Sequence, residues 1–336
     1  MQNIMSEDNE ADTTSCCASC GIAEVDDVKL KDCDGCDLVR YCSDECQRDH
    51  KSQHEEACKK RAADMRDELL FRMLRDELLF RQPESTHMGD CPICSLPMPL
   101  DRVKSTMHEC CSKVICNGCN SANKIRELGT RTEESCPFCR EPSPRTDEES
   151  DKRRMKRVEA NDPGALLQEG LTQGIKGDYV KAFKYLEKAA DLGVAEAHYR
   201  LACMYNGVKG VKRDKGKKIY HLEEAAIGGH PNARFELGCH EGDNNNIARA
   251  VKHWIISATQ GEDKSIKALL MAFKQGQKDE VELVSKEDLD SALRAHKEAV
   301  DATKSPQRRE AEEIQDFFRA GGIPSELPQI RQYRRK

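Results

Sequence analysis

The sequence predicts a multidomain protein in which two small metal-stabilised modules are followed by an all-α helical-repeat solenoid. Three observations lead to this fold class. Of the 18 cysteines among 336 residues, 16 lie between Cys16 and Cys139. Most of these cysteines stand in pairs separated by two or three residues, which is the spacing of structural metal sites. After Asn161, a helical pattern of apolar residues recurs with periods of 36 and 32 residues.

Composition restricts the class of protein. With 38% apolar and 34% charged residues, the chain has the balance of a soluble protein. No run approaches the roughly 18 apolar residues of a membrane-spanning helix, and the N-terminus is acidic, unlike a signal peptide. A net charge of −6 gives no reason to expect specific nucleic-acid binding. We therefore expect a cytoplasmic or nuclear protein with protein or peptide partners, whose clustered cysteines bind metal instead of forming disulfides.

The cysteine clusters and the changes in composition between them divide the chain into seven segments. One of them, a linker, contains the basic sequence KRRMKR at 152–157, for which a nuclear-import peptide and a solvated linker both remain open. We predict a disordered acidic tail at 1–15, a first cysteine module at 16–58, a helical connector at 59–90, a second cysteine module at 91–140, a charged linker at 141–162, helical repeats at 163–302, and a C-terminal helix with a basic tail at 303–336.

The connector contains a tandem repeat, in which RDELLFRML is followed by RDELLFRQP. The two copies point in about opposite directions, because nine residues turn a helix through about 900°. Apolar side chains therefore surround much of the helix axis, and we predict a strut packed between the two cysteine modules. A helix that binds a partner or a second copy of itself is the alternative.

The first cysteine module offers eight metal donors in four pairs. Tetrahedral zinc takes four thiolate or imidazole donors, so eight donors predict two zinc ions. Tyr41 is the only aromatic residue of the segment, which is too little for an ordinary core, and zinc must therefore supply the folding energy. The pairs are Cys17 with Cys20, Cys33 with Cys36, Cys42 with Cys46, and His54 with Cys58.

These spacings, together with the sequence YCSDECQ, resemble the MYND zinc finger over residues 17–58. Lys51 stands where that family usually carries a tryptophan, which contacts peptides in some members. Cys16 and His50 are left without a metal-binding role. The resemblance implies that alternate pairs share an ion, with Cys17, Cys20, Cys42 and Cys46 on one zinc and Cys33, Cys36, His54 and Cys58 on the other.

The second module contains eight thiols whose order and gaps resemble the RING finger. In that cross-braced fold, the first and third pairs of ligands hold one zinc, and the second and fourth pairs hold the other. The resemblance assigns Cys91, Cys94, Cys116 and Cys119 to one ion, and Cys111, Cys136 and Cys139 to the second.

The eighth ligand of the second module departs from the RING pattern. Lys113 occupies the position of the usual histidine, and an ammonium cannot ligate zinc. We choose Cys110 as the missing ligand because its thiolate is the softer donor, and His108 is the alternative. Four zinc ions are expected in all, two per module.

RING fingers that act as ubiquitin ligases carry three further residues, and Ile93, Pro137 and Arg140 stand at their positions. The resemblance implies that Ile93 and Pro137 dock a ubiquitin-conjugating enzyme, while Arg140 holds its ubiquitin thioester in a reactive pose. No residue of this chain would act as a catalytic nucleophile. A module that only binds zinc and protein partners is the other interpretation, and whether the protein is an enzyme stays open.

Three helical segments that end in glycine define the repeats of the solenoid. Small residues before each glycine let paired helices approach closely, and the glycine permits a left-handed cap. Cys203 and Cys239 fall within these apolar patterns, where we expect small buried residues. The basic loop 209–218 is either solvated or part of a peptide-binding face. The segments are KAFKYLEKAADLG at 181–193, KKIYHLEEAAIGG at 217–229 and ARAVKHWIISATQG at 248–261.

The repeats resemble the Sel-one-like repeat, a relative of the tetratricopeptide repeat, which implies stacked helix pairs. The sequence as a whole predicts a zinc-binding protein-interaction scaffold or adaptor. The alternative is a RING-type ubiquitin ligase that recruits a ubiquitin-conjugating enzyme through the second module and substrates through the first module or the repeats.

Overall fold

The computed structural model describes residues 16–24, 29–34, 36, 38–208 and 210–320. The chain forms two compact units, one ending at Leu78 and the other beginning at Leu79. The predictions for the acidic tail at 1–15 and for the basic C-terminal tail lie outside the described residues. Within the described residues, no helix is long and apolar enough to cross a membrane.

The first unit combines a short hairpin with one long helix. Strand β1 (Lys31–Asp32) pairs antiparallel with strand β2 (Arg40–Tyr41), and helix α1 (Asp44–Phe80) follows directly. The apolar cluster of the described hairpin region is formed by the buried residues Cys17, Leu30 and Tyr41, and other cysteines pack against them. An interior this small contributes little hydrophobic stabilisation.

Helix α1 differs from the predicted connector in its start and in its packing. It begins at Asp44, inside the first cysteine module, because no glycine or proline interrupts residues 44–80 and because Asp44 and Glu45 complement the positive end of the helix dipole. The large apolar side chains between Met65 and Leu78 are exposed instead of being packed as in a strut, whereas Leu79 is buried.

The second unit begins with the second cysteine module. A 3₁₀ turn (Arg102–Lys104) leads into an antiparallel hairpin of β3 (Ser105–His108) and β4 (Lys113–Cys116), in which Ser105 lies opposite Cys116. Helix α2 (Asn117–Thr130) follows at once. The interior of the module consists of Met98 and Ile115 together with Cys91, Cys116 and Cys119.

The predicted charged linker at 141–162 is largely helical, which corrects the sequence analysis. Helix α3 (Asp147–Glu159) carries acidic residues in its first turn and basic residues in its last turn, and Thr146 caps its N-terminus. Arg154 is buried, and its Nε lies 2.8 Å from a carboxylate oxygen of Glu169. Val158 joins the core of the first repeat. The basic stretch 152–157 is therefore part of a packed helix and not an exposed linear peptide.

The repeats form three helix pairs, followed by two further helices. Their cores consist mainly of alanine and leucine, such as Ala197 and Leu201. Gly193, Gly229 and Gly261 have positive φ angles, as predicted for left-handed caps. The pairs are α4 (Pro163–Ile175) with α5 (Tyr179–Asp191), α6 (Ala195–Met204) with α7 (Lys215–Ile227), and α8 (Pro231–Asp243) with α9 (Ile247–Thr259); α10 (Asp263–Asp279) and α11 (Lys286–Ala302) pack against α9.

The last described helix returns to the second cysteine module. Helix α12 (Pro306–Arg319) packs against α2, and Ile314 and Phe317 meet Ile125 there. Cys203 and Cys239 are half-buried in the repeats, so they are less enclosed than we expected.

Candidate metal centres

The sixteen predicted metal donors form four groups in the structure. Within each group, the four donor atoms lie within 4.8 Å of one another. Each group joins two pairs that are distant in sequence, so both modules have a cross-braced arrangement. The groups are Cys17, Cys20, Cys42 and Cys46; Cys33, Cys36, His54 and Cys58; Cys91, Cys94, Cys116 and Cys119; and Cys110, Cys111, Cys136 and Cys139.

The spacing of the sulfur atoms fits tetrahedral zinc. A Zn–S bond of about 2.3 Å places two sulfurs of a tetrahedron roughly 3.8 Å apart. The Sγ–Sγ distances are 3.5 Å for Cys20 and Cys42, 3.9 Å for Cys94 and Cys116, and 3.8 Å for Cys111 and Cys136. A disulfide would bring the sulfurs to about 2.05 Å. The arrangement is therefore one of separate thiols around a common point.

Three of the Cys-x2-Cys turns share one backbone pattern. The carbonyl of the first cysteine accepts a hydrogen bond from the amide four residues later, at 2.8 to 2.9 Å. The donors of this bond are Gly21, Ser95 and Arg140, and all three have positive φ angles. A left-handed residue at this point turns the chain so that both thiols face the same ion. Arg140 thus has a structural role in its turn.

When no cation is present, crowding disfavours the ionisation of several thiols at once. Burial acts to raise the pKa of Cys17, but hydrogen bonds from backbone amides outweigh it and lower this pKa to about 6, whereas the pKa values of some other thiols of the groups are raised. Hydrogen bonding to the thiols of Cys20 and Cys46 raises the pKa of Cys42 to about 12. Burial and the neighbouring Cys33 raise the pKa of Cys58 to about 11. Zinc binds thiolates and reverses this balance by stabilising the charged form. The four groups are therefore suited to a divalent cation of soft-ligand preference, such as zinc.

Comparison with known families identifies two parts of the chain. Residues 17–58 match the family model of the MYND finger, and residues 164–194, 195–230 and 231–262 match that of the Sel1 repeat. The chain carries a MYND finger and three Sel1 repeats. The MYND finger is a zinc-binding domain, and both families are protein-interaction modules, so the protein is a zinc-binding interaction scaffold. The second cysteine module lies outside both matches.

Two solved structures of repeat proteins are similar to the chain. The first is a Sel1 repeat protein from Oxalobacter formigenes, with 23% identity over 36% of this chain and 96% of that chain, and a TM-score of 0.33. The second is c5321, a protective antigen present in uropathogenic Escherichia coli strains that displays an SLR fold, with 16% identity over 62% of this chain and 50% of that chain, and a TM-score of 0.39. No curated protein was found to match the chain.

Residues of the MYND finger without a predicted metal role surround its second group. The hydroxyl of Tyr41 lies 3.1 Å from Nδ1 of His50, whose ring stacks on that of His54 with 5.8 Å between centroids. His50 thus lies beside a predicted zinc ligand without being one of the four donors. Lys51 lines a cleft of about 620 Å³ beside Cys33 and Cys58. Lys51, a cation that lines this cleft, therefore stands at the position of the family tryptophan.

In the second module, the structure brings Cys110 and not His108 to the incomplete group. The Sγ of Cys110 lies 3.3 Å from that of Cys139. His108 ends strand β3, and its Nε2 is buried without a hydrogen-bond partner. Lys113 extends instead toward Phe138, with its Nζ 5.9 Å from the ring centroid.

The three residues at the ligase positions differ in their surroundings. Ile93 is 44% exposed, as a docking residue requires. Pro137 is buried in this arrangement, and its role in docking an enzyme stays a prediction. Arg140 is exposed, and its guanidinium donates a hydrogen bond to Oδ1 of Asn123 at 3.2 Å.

Sequence reasoning missed Arg308, which covers the first group of the second module. The Arg308 guanidinium donates to Sγ of Cys94 at 3.6 Å and to the carbonyls of Leu96 and Pro97 at 3.2 and 2.6 Å. Gly118 permits this approach, because a Cβ there would lie 2.9 Å from the Arg308 side chain. A cation beside a four-thiolate zinc site offsets its negative charge. Neither residue has a local sequence signal.

A fifth group, His87, Glu196 and His230, also brings three potential ligands together. The Nε2 atoms of His87 and His230 lie 3.3 and 3.1 Å from the same carboxylate oxygen of Glu196. Nδ1 of His230 accepts a hydrogen bond from the amide of Ala233. The proton of neutral His230 must therefore sit on Nε2, where it donates to Glu196 and leaves no lone pair for a metal.

This fifth group acts as a clamp around a buried carboxylate. Arg102 and Arg200 reach the other carboxylate oxygen of Glu196 at 3.0 and 2.7 Å, which further disfavours a cation. Burial acts to raise the pKa of Glu196, but hydrogen bonds from His230 and His87 hold this pKa well below its usual range. Arg102 belongs to the second cysteine module, and His87 lies just before it in the sequence. The clamp therefore attaches that module to helix α6.

We expect the purified protein to contain four zinc ions per chain. The Cys110→Ser variant should lower the zinc content, because it removes one donor from a four-donor group, whereas His108→Ala should leave four ions in place. Native mass spectrometry measures the stoichiometry. A loss of zinc from His108→Ala but not from Cys110→Ser would show that the ligand assignment is wrong.

Protonation of His230 should destabilise the folded protein. Burial lowers the pKa of His230 to about 4, against about 6.5 in an unfolded chain. Because the unfolded state binds the proton more readily, this contribution to stability is complete above about pH 6.5 and is lost as the pH falls toward 4.

The variant His230→Asn tests this dependence. Asparagine can still accept from the amide of Ala233 but cannot take up a proton. In urea unfolding followed by helical circular dichroism, with zinc in the buffer, its free energy of unfolding should fall less steeply than that of the wild type between about pH 6.5 and 5. Equal slopes for the two proteins would contradict the assignment.

Proposed function

We propose that the protein is an adaptor that binds acidic peptide segments through a basic groove on its Sel1 repeats. The groove lies between helix α5 and the loop that connects α6 to α7, and it encloses about 460 Å³. Four cations of the described residues line it, against two carboxylates: Lys184, Lys212, Arg213 and Lys217 face Glu187 and Asp214. This excess of positive charge is the observation that carries the proposal.

One of the two carboxylates is already engaged. Asp214 caps helix α7 and accepts a hydrogen bond from the amide of Lys217 at 2.9 Å. Lys212 and Arg213 are exposed at the rim of the groove. Their positive charge is therefore available to attract an acidic segment and to speed its association.

The floor of the groove is aromatic. The rings of Phe183 and Tyr205 meet edge to face, with 5.7 Å between their centroids. Lys217 lies over the ring of Tyr205, with its Nζ 5.6 Å from the centroid. An apolar or aromatic side chain of a bound peptide would find a surface here, while its acidic neighbours meet the cations at the rim. For the basic loop 209–218, the sequence allowed either a solvated loop or part of a peptide-binding face, and we adopt the second interpretation.

Reversing two charges at the rim should weaken this binding. We expect the double variant Lys212→Glu and Arg213→Glu to bind a fluorescent peptide of aspartate and glutamate around one tryptophan at least about tenfold more weakly, as measured by anisotropy. The double variant Lys274→Glu and Lys278→Glu on helix α10 changes the net charge equally and is the control. Equal weakening in both variants would mean that only net charge matters.

A ubiquitin ligase is the second candidate function. The cross-braced arrangement of eight thiols and the exposure of Ile93 between two of them support it. Phe138 is exposed beside the buried Pro137 and offers a second apolar contact for a ubiquitin-conjugating enzyme. The tie between Arg140 and Asn123 would have to open for Arg140 to reach a thioester.

Discharge of ubiquitin from a panel of conjugating enzymes tests this candidate. If the protein is a ligase, the wild type accelerates discharge, and Ile93→Ala and Arg140→Ala each slow it while the zinc content stays unchanged. The first variant should fail in binding the enzyme and the second in activating the thioester. Absence of acceleration with every enzyme would exclude the ligase function and leave the adaptor.

A further inference from the structure

Helix α1 exposes a long apolar surface. Seven large apolar side chains of this helix are between 39% and 66% exposed, and they follow one another within 14 residues. Soluble proteins seldom expose so much contiguous apolar surface unless something covers it. These residues are Met65, Leu69, Leu70, Phe71, Met73, Leu74 and Leu78.

Part of this surface forms one stripe along the helix. At about 100° per residue, Leu70, Phe71, Leu74 and Leu78 fall within an arc of about 100°. Their spacing of three and four residues is that of a helix which packs along another helix. Leu69 points to the opposite side of α1 by the same rule.

Charged residues border the stripe on both sides. Arg66 and Glu77 lie along one edge, and Glu68 and Arg75 lie along the other. Each edge thus carries one cation and one anion. The tandem repeat of the sequence produces this pattern, because RDELLFR supplies both charges in each of its two copies.

Along each edge, the cation and the anion lie at equal distances on either side of one point of the helix. Arg66 and Glu77 are equally distant from the midpoint between Phe71 and Arg72, and so are Glu68 and Arg75. A two-fold axis through this midpoint would place Arg66 of one copy opposite Glu77 of the other. Such matching of a surface with itself is the property of an isologous interface.

We infer that helix α1 pairs with α1 of a second copy of this chain in an antiparallel arrangement. Phe71 packs against its own counterpart at the two-fold axis, and Leu70 packs against Leu74 of the second chain. Arg66 and Glu77 form two equivalent ion pairs at the edge. Glu68 already binds Arg61 of its own chain at 2.9 Å, so the other edge contributes less.

The position of the interface is compatible with the metal centres. The last zinc donor on the helix is Cys58, and the stripe begins at Leu70, which is about 18 Å farther along at 1.5 Å per residue. Pairing of the stripes therefore covers none of the donors. The inference is also independent of the proposed peptide groove, which lies on other helices.

Sedimentation equilibrium of the full-length zinc-bound protein tests this inference. The wild type should show twice the mass of the 37.9 kDa chain. Leu74→Glu should give a monomer, because a carboxylate then lies in the apolar seam. Leu69→Glu is the matched control, since it changes an equally exposed leucine on the opposite side, and it should remain a dimer.

Charge exchange tests the antiparallel direction. The single variants Arg66→Glu and Glu77→Arg should each dimerise at least about tenfold more weakly, because like charges then face each other. An equimolar mixture of the two single variants should recover the dimer, as should one chain that carries both changes. In a parallel pair, the new carboxylate of Arg66→Glu would face Glu68 of the other copy, and neither combination would recover the dimer.

Three results would overturn the inference. A wild type that remains monomeric at 100 μM would exclude self-association as the function of the stripe. A dimer that survives Leu74→Glu would place the interface elsewhere. If the wild type dimerises but neither the mixture of the two single variants nor the chain with both changes recovers the dimer, the antiparallel pairing is excluded. Unchanged zinc content and helical circular dichroism in each variant ensure that folding is not the cause.

Discussion

The fold of both cysteine modules depends on groups of soft metal donors that lie a few ångströms apart. Neither module has an ordinary interior among the residues that the structure describes: the apolar cluster of the MYND finger is centred on Cys17, Leu30 and Tyr41, and three of the five buried residues in the apolar cluster of the second module are cysteines. Removing the cation would leave crowded thiols, several of them with raised pKa values such as Cys42 and Cys58, and almost no apolar core to replace it. The helices depend on this coordination too, because α1 carries donors in its first turns and the donor Cys116 caps the N-terminus of α2.

Buried polar groups join the second module, and the residues that precede it, to the repeats. Glu196 on α6 collects two histidines and two arginines, and Arg234 on α8 donates to the carbonyl of Leu79 and, at 2.8 Å, to that of Ala226. Buried charges of this kind are costly unless every partner is present. They therefore fix one arrangement of the module on the solenoid, whereas apolar surfaces alone would tolerate several. A fixed arrangement suits an adaptor that must hold two partners in a constant relation.

The sequence alone predicts those features that depend on local geometry, namely the metal donors and the ends of the repeat helices. Two thiols separated by two residues face one ion whatever surrounds them, so the grouping of donors can be read from spacing together with a family resemblance. The terminal glycines of the repeats can be predicted in the same way, because the chain requires a positive φ at the end of each helix. The choice of Cys110 over His108 needed only the preference of zinc for thiolate.

Tertiary contacts account for the parts that sequence reasoning missed. Helix α3 looked like a linker because only Met155 and Val158 of its residues pack against the core, and because its buried Arg154 pairs with Glu169, fifteen residues away. The exposure of the stripe on α1 could not be foreseen, because an apolar helix is expected to be covered by its own chain. Pro137 and Arg308 are placed by neighbours that no spacing rule connects to them. Residue type and period thus predict local geometry and the recurrence of the repeats, but not which distant side chain covers or caps a given element.

The contact between Arg308 and Cys94 has a consequence for protein synthesis. The two residues are 214 positions apart, so the thiolate group leaves the ribosome long before its covering guanidinium has been made. At roughly 5 to 20 residues per second, this interval lasts on the order of 10 to 40 seconds. During that time the first zinc site of the second module stays open to metal exchange and to oxidation. The nascent chain can therefore load this zinc before the C-terminal helix closes over it.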